Sequence, residues 1–411
     1  MKTEEVKMNT KEETQMEAQM EAKRIDFAMD GGFSGNKMCL NGDFVQIPFS
    51  VVDITNKSQE KWGEAYLNDD YICGTVDGRK YLVGQAAKVS LAYDGGNSEE
   101  GRDMDAFSTM ARYTMDIFKP ALEIFIAYGL YWYCTAGSGK DKGYCIEDLD
   151  SYELVVGNAL PHSDVKKLAP VVKDYLTGKK KGKHSVILKV GDGDEVEINY
   201  TVKAALFNSQ TSCCLVNEVY DEKGGKIAGD SLYNHLPALV IDGGYKTMGK
   251  FYMRRDHTIV GGVSNIEYAM LNVNSLVAQK ISEKSPGFKD YMVDERIEND
   301  AVVRYLEEGV CKEIDVKQVK DEVMKDVVER YIAELLKSHD NLLDVETILI
   351  AGGTGAAYYP YIKEYCEKER SFIRVVLAFQ EESTAIAGSY GNPVYAIAAG
   401  MYKCLVMQQI N

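Results

Sequence analysis

The sequence predicts an α/β fold made of two similar halves that hold a ligand between them, and three observations carry that expectation. First, "FAMDGGF" at 27–33 and "LVIDGGY" at 239–245 share one pattern: three apolar residues, Asp, two Gly and an aromatic residue. Second, each copy closes an apolar strand and precedes a return strand, so each half restarts with the same unit. Third, "ILIAGGTGAAYYPY" at 348–361 reads as a buried strand, a glycine turn and a helix.

The elements follow in chain order. Residues 1–24 are rich in Met, Glu and Lys and free of Gly and Pro, which predicts a disordered or weakly helical extension. "IDFAMD", "NKMCLNG" and "FVQIPFSVVDI" read as three strands, with glycine turns at 31–35 and 42. In "YICGTVDGRKYLVGQAA" the Asp77-Gly78 dipeptide marks a hairpin. An apolar helical stretch runs from about Asp105 to Tyr133 and breaks near Pro120. "YELVVGNALP" is a buried strand, and "SVILKVGDGDEVEINYTVKAALF" a hairpin.

The second half opens with the strand–turn–strand "PALVIDGGYKTMGKFYM". "VGGVSNIEYAMLNVNSLVAQKI" reads as a helix opened by a capping box, Ser264 with Glu267. Residues 315–337 form an amphipathic helix with Asp315 as cap and a stripe of Val316, Val319, Val323, Val327, Tyr331 and Leu335. "GNPVYAIAAGMYKCLV" ends the chain as a helix whose small residues suit close packing.

With 411 residues, 45% hydrophobic and 27% charged, the chain has room for two domains with substantial cores. No stretch reaches the ~20 apolar residues of a membrane span, and the Lys/Glu-rich start lacks the apolar segment of a secretory signal. Nine cysteines, an odd number without C-x-x-C spacing, point to reduced thiols in a cytoplasm. The adjacent Cys213 and Cys214 read as small buried hydrophobes. A net charge of −16 argues against direct nucleic-acid binding, which needs a basic face. The local exception, "GKKKGKH" at 178–184, reads as a solvated loop tip or as a contact between acidic subunits.

A single Asp-Gly-Gly turn is a common hairpin device; two in the same context ask for shared chemistry. Glycines let the backbone approach a ligand and aim successive N–H groups at phosphate oxygens. Carboxylates beside a polyphosphate make sense only with a divalent cation between, and Mg²⁺ is commonly held by few carboxylates plus phosphate oxygens. Asp30 and Asp242 are the candidate carboxylates, Lys37 the charge for the terminal phosphates, and Ser34 a further donor. The helix opened by Gly352 and Gly353 can present its N-terminus to an anion or a nucleotide.

These residues resemble the actin, sugar-kinase and heat-shock-chaperone ATPase superfamily. "DGGFSGNK" stands where its first phosphate loop does, "VIDGGYKTMG" where the second does, and "IAGGTGAAYYPY" where the adenosine motif does. "VVGNALPHSD", "IVGGVSNIEYAM" and the terminal "GNPVYAIAAGMYKC" make the chain most similar to ParM-like bacterial actins of plasmid segregation, from about Ile25 to Cys404. The resemblance implies two related domains, each a mixed five-stranded sheet flanked by helices, with ATP or GTP and Mg²⁺ in the cleft between. It divides the chain into the extension 1–24, domain I over 25–237 completed by 386–411, and domain II over 238–385. It assigns Asp30, Gly31, Gly32, Ser34 and Lys37 to the first phosphate loop, Asp242, Gly243, Gly244 and Thr247 to the second, and Gly352, Gly353 and Thr354 to the adenosine. Asp30 and Asp242 would hold Mg²⁺ through water.

A Glu or Gln before a helix orients the attacking water in this family, and Gln210 in "LFNSQTSCC" is the match. The family's neighbouring Pro is absent there, and an ordinary helix-start side chain is the competing reading. A filament-forming NTPase in the cytoplasm is expected, a homopolymer whose DNA cargo is reached through an adaptor of ParR type. A small-molecule kinase on the same core is the alternative, although no carboxylate base stands out beyond the two aspartates. A chaperone is disfavoured, since no substrate-binding domain follows before Asn411.

Overall fold

The computed structural model describes residues 23–410 except 33–34, 57–70, 94–100, 104–112, 163, 179–181 and 230. Ser34, the extension up to residue 22, the start of the expected 105–133 helix and the lysine run at 179–181 therefore lie outside the described residues. Strands β1 (Arg24–Gly31), β2 (Asn36–Leu40), β3 (Asp43–Ile47), β4 (Ser50–Asp53), β5 (Ile72–Val76) and β6 (Arg79–Val83) lead into helix α1 (Gln85–Tyr93) and β7 (Gly101–Asp103). Helix α2 (Phe118–Thr135), β8 (Glu153–Leu160), α3 (Val165–Lys173), β9 (Lys183–Val190), β10 (Val196–Ser209) and α4 (Gln210–Val219) follow. The remainder is β11 (Ala238–Gly243), β12 (Met248–Met253), β13 (Ile259–Asn265), α5 (Met270–Ser282), α6 (Tyr291–Asn299), β14 (Val302–Glu307), β15 (Val310–Asp315) and α7 (Val316–Ser338). Strand β16 (Thr347–Ala351), α8 (Gly353–Glu369), β17 (Arg374–Leu377) and α9 (Ala396–Ile410) complete it.

Contacts group the described residues into two units. The first draws on the described residues up to Phe27, within Ser50–Gly157 and within Ala169–Leu206, the second on those within Ala28–Phe49, Asn158–Leu168 and from Phe207 onward. In the first unit an antiparallel sheet runs in the order β10-β9-β5-β6-β4-β7. Its β5–β6 hairpin turns through Asp77 and Gly78, both at positive φ (47° and 78°), as the two-residue turn requires. Helix α2 buries an apolar surface here, and a Cβ at Gly74 would sit 2.4 Å from Ile124 Cγ1, so glycine sets how closely the helix lies on β5. The expected break in this helical stretch falls at 115–117, and Pro120 lies in the first turn of α2, where its missing N–H costs nothing.

The second unit contains a sheet of order β13-β12-β11-β16-β17, parallel across β11, β16 and β17 and antiparallel at β12 and β13. Its core joins Leu239, Ile241, Ile348 and Ile350 to the stripe of α7, of which Val316, Val323, Val327, Tyr331 and Leu335 are buried and Val319 partly so. Each such side chain contributes about 1.5–3 kcal/mol. Asp315 caps α7 as expected, accepting from Gln318 N at 3.0 Å.

Helix α9 packs on α4 so closely that a Cβ at Gly400 would lie 1.8 Å from the Cys213 carbonyl oxygen. Cys213 and Cys214 are fully buried there. Lys403 is buried in the same contact, donating to the carbonyls of Asn217 (2.7 Å) and Thr384 (2.8 Å).

Two sequence expectations are corrected. Ser264 lies in β13 rather than at a helix start; α5 begins at Met270, and Asn265 takes the local turn by accepting from Glu267 N at 2.8 Å. The strand read over 44–54 is two strands, β3 and β4, because Pro48 lacks the N–H a continuous ladder needs.

Candidate functional site

The two Asp-Gly-Gly turns meet in the second unit. Strand β1 delivers Asp30 at its carboxyl end and β11 delivers Asp242 at the corresponding place. Both line one cavity of about 270 Å³, together with Gly32, Lys37, Gln210, Gly243, Gly244, Thr247, Gly352, Gly353 and Thr354. Gly31 closes β1 and is buried beside the cavity-lining residues rather than among them. Sequence reasoning missed four further lining residues, Tyr245, Met270, Val394 and Ile397. Tyr245 is the aromatic residue of the second repeat, and Val394 and Ile397 lie within the "GNPVYAIAAG" ending, so a signal existed for three. Met270 had none.

Asp30 is 1% exposed and engaged at both oxygens. Lys37 Nζ on β2 is 3.3 Å from Oδ2, and Gln210 Nε2 donates to Oδ1 at 2.8 Å. The spacing from Asp30 to Lys37 is thus what a turn plus the first residues of β2 need to return an ammonium to the carboxylate. Gln210 is the first residue of α4, which is capped by Ser209 accepting from Ser212 N. Its Nε2 is committed to Asp30, leaving Oε1 as an acceptor without a partner among the described residues.

Asp242 keeps part of its surface open to the cavity. Its carboxyl is pushed up to about 7, first by desolvation and then by the charge of Asp30, with Lys37 opposing. Two carboxylates and one ammonium, Lys37, among the described residues lining the cavity suit an added cation. Among the described residues no group of three or more His, Cys, Asp or Glu side chains is placed to hold a metal by itself. A divalent ion here would take two carboxylates and complete its shell from water and phosphate oxygens. The residues fit Mg²⁺.

The third motif lines the same cavity, next to Asp242. Gly352 has φ +79°, and a Cβ there would meet Gly243 O at 2.4 Å and Asp242 Oδ1 at 3.0 Å, so only glycine brings α8 this close to β11. No side chain caps α8, and its first-turn N–H groups and positive dipole end are left for an anion. Thr354 Oγ1 donates to Gly244 O at 2.7 Å, fixing the second turn to α8.

These two turns and the helix start converge on one cavity of a mixed α/β fold. No family model and no curated protein sequence matches the chain. Solved structures do. The actin-like protein Alp7A is 17% identical with a TM-score of 0.62, covering 95% of this chain and 97% of its own. A ParM from a 15-stranded filament of Clostridium botulinum is 16% identical, TM-score 0.59, covering 94% and 99%. Bacillus thuringiensis ParM with ATP is 13% identical, TM-score 0.60, covering 95% and 100%. At these identities the likeness establishes the fold.

Proposed function

We propose that this chain is a nucleotide-dependent, filament-forming actin-like protein that hydrolyses ATP or GTP to control polymer stability. The observation that carries the reading is the convergence of Asp30, Lys37, Gln210, Asp242 and the Gly352–Thr354 helix start on one cavity. Glycine N–H groups of both turns and the start of α8 receive the nucleotide, with Lys37 countering the charge of its terminal phosphates. Mg²⁺, held through Asp30 and Asp242, supplies charge neutralisation at the phosphates when bound. Gln210, with Nε2 fixed on Asp30, offers Oε1 to a water proton and so orients the attacking water. A neutral amide orients water without taking its proton, which gives slow hydrolysis suited to timing a polymer.

Support for assembly comes from the fold shared with ParM and Alp7A, one of the ParM structures being a filament. The division into 25–237 with 386–411 and 238–385 follows the repeat, a partition distinct from the contact-defined units, and belongs to this proposal. So does the cargo, DNA reached through an adaptor of ParR type, since a net charge of −16 disfavours direct contact. No helix among the described residues is long and apolar enough to cross a membrane, and a cytoplasmic place is part of the reading. The test mixes purified chain with ATP or GTP and Mg²⁺ and follows light scattering and phosphate release. Scattering that rises and then decays as phosphate appears is expected; turnover seen only on adding a sugar or acid acceptor contradicts it and favours a kinase.

A further inference from the structure

Helix α2 is apolar through its buried length except for one carboxylate, Glu123, which is 4% exposed. Three side chains of the same unit close around it. Tyr175, from the π turn Asp174–Gly178, donates its hydroxyl to Glu123 Oε1, and His184 Nδ1 on β9 is 3.4 Å from that same oxygen. The other ring nitrogen of His184 is 3.0 Å from the Leu176 carbonyl oxygen. Tyr200 stacks on the imidazole at 5.1 Å and commits its hydroxyl to the Glu123 backbone carbonyl at 3.2 Å. The two side chains that reach the carboxylate, Tyr175 and His184, are therefore both at Oε1. Oε2 takes no hydrogen bond from any described residue.

Glu123 lines a cavity of about 290 Å³ in the first unit, apart from the phosphate-loop residues. The cavity's remaining polar lining includes Thr75, Asp77, Glu197 and Lys183. Oε2 is left accessible to the cavity, where an arriving cationic donor gains a charge-assisted hydrogen bond in surroundings drier than bulk water. Among the described lining residues three carboxylates, Glu123, Asp77 and Glu197, face one ammonium, Lys183, with Ser185 donating to Glu197 at 3.1 Å. That wall complements a group with several donors and no acceptor, which describes an ammonium or a guanidinium. The volume lies at the lower edge of the ~300–1,000 Å³ of small-molecule sites, fit for the end of a side chain or a diamine rather than a nucleotide.

We propose that this cavity is a pocket for an alkylammonium or guanidinium group, anchored on Glu123 Oε2 with Asp77 and Glu197 at its rim. The group could belong to a free diamine or to a Lys or Arg side chain of a second copy, and both present the same chemistry. The π turn has a place in this account: it brings Tyr175 onto Oε1 and leaves Oε2 facing the cavity.

Calorimetry on the full chain without nucleotide, titrated with putrescine and with Nα-acetyl-arginine amide, tests the pocket. Saturable one-to-one binding is expected, weakened at least about tenfold in Glu123→Gln, which keeps the shape and an acceptor for Tyr175 while removing the charge. If Glu123→Gln fails to fold by circular dichroism, the exposed rim pair Asp77→Asn with Glu197→Gln carries the test, with an expected loss of about three- to tenfold. Absence of saturable binding to both probes, or equal affinity in the variants, overturns the proposal. Pelleting with nucleotide separates the sources. A side chain of a second copy predicts that millimolar putrescine lowers the pelleted fraction of the wild type and not of Glu123→Gln, whereas a free diamine predicts unchanged pelleting.

Discussion

Asp30 and Asp242 occupy equivalent places in the repeat yet differ in their surroundings. Asp30 is paired with Lys37 and Gln210, while Asp242 is held up to about 7 by desolvation and by Asp30. Its folded value lies above the unfolded one of 3.8, so the nucleotide-free chain loses stability as pH rises from about 4 to 7. A cation that needs the carboxylate must displace that proton at lower pH. Mg²⁺-dependent nucleotide affinity should therefore strengthen by up to about tenfold per pH unit on the way up to 7 and then level off; titrations at pH 5.5, 6.5, 7.5 and 8.5 read this directly. Asp242→Ala should lose Mg²⁺-dependent binding, by about 100-fold or more, while retaining its circular dichroism. Gln210→Ala should bind and assemble but release phosphate more slowly, by about 10²-fold, as expected for loss of a water-positioning group. Normal hydrolysis in that variant removes Gln210 from the role.

Among the elements, the α4–α9 contact decides how well the site is supported, because α4 carries Gln210 at its first residue and α9 carries Ile397. Gly400→Val puts atoms where the Cys213 carbonyl stands and should cost about 1–3 kcal/mol or more, read as a lower denaturation midpoint with an unchanged slope. This contact was partly legible in the run of Ala and Gly in "VYAIAAGM". The Asp315 cap, the α7 stripe and the Asp77-Gly78 hairpin were legible because each rests on local chemistry: a side-chain acceptor, a helical period, a positive φ. Local signals also misled. Ser264 and Glu267 have capping-box spacing, but the antiparallel ladder to β12 claims Ser264 opposite Gly249, and cross-strand pairing outweighs a cap. Met270 reaches the cavity through tertiary packing, which leaves no pattern in an apolar residue. Glu123 was hidden for a related reason: one acid in an apolar helix gives no hint that Tyr175 and His184 will come to it.

At the scale of the whole molecule the repeat explains why a site can be read from sequence at 13–17% identity to solved relatives. In the proposed function two strand ends, two glycine turns and one helix N-terminus all reach phosphate oxygens, and that geometry would restrict residue types far more than a core does. The surface is under a different constraint. Subunits of net charge −16 repel one another, so assembly should rise with Mg²⁺ and with moderate salt, through screening over roughly 10 Å at 0.1 M. The most direct test of the central claim is simultaneous light scattering and phosphate release on the purified chain with ATP or GTP and Mg²⁺ and no second substrate. Scattering that climbs within the mixing experiment and falls as phosphate accumulates is the predicted result. A flat trace with either nucleotide at every Mg²⁺ and salt concentration would contradict it.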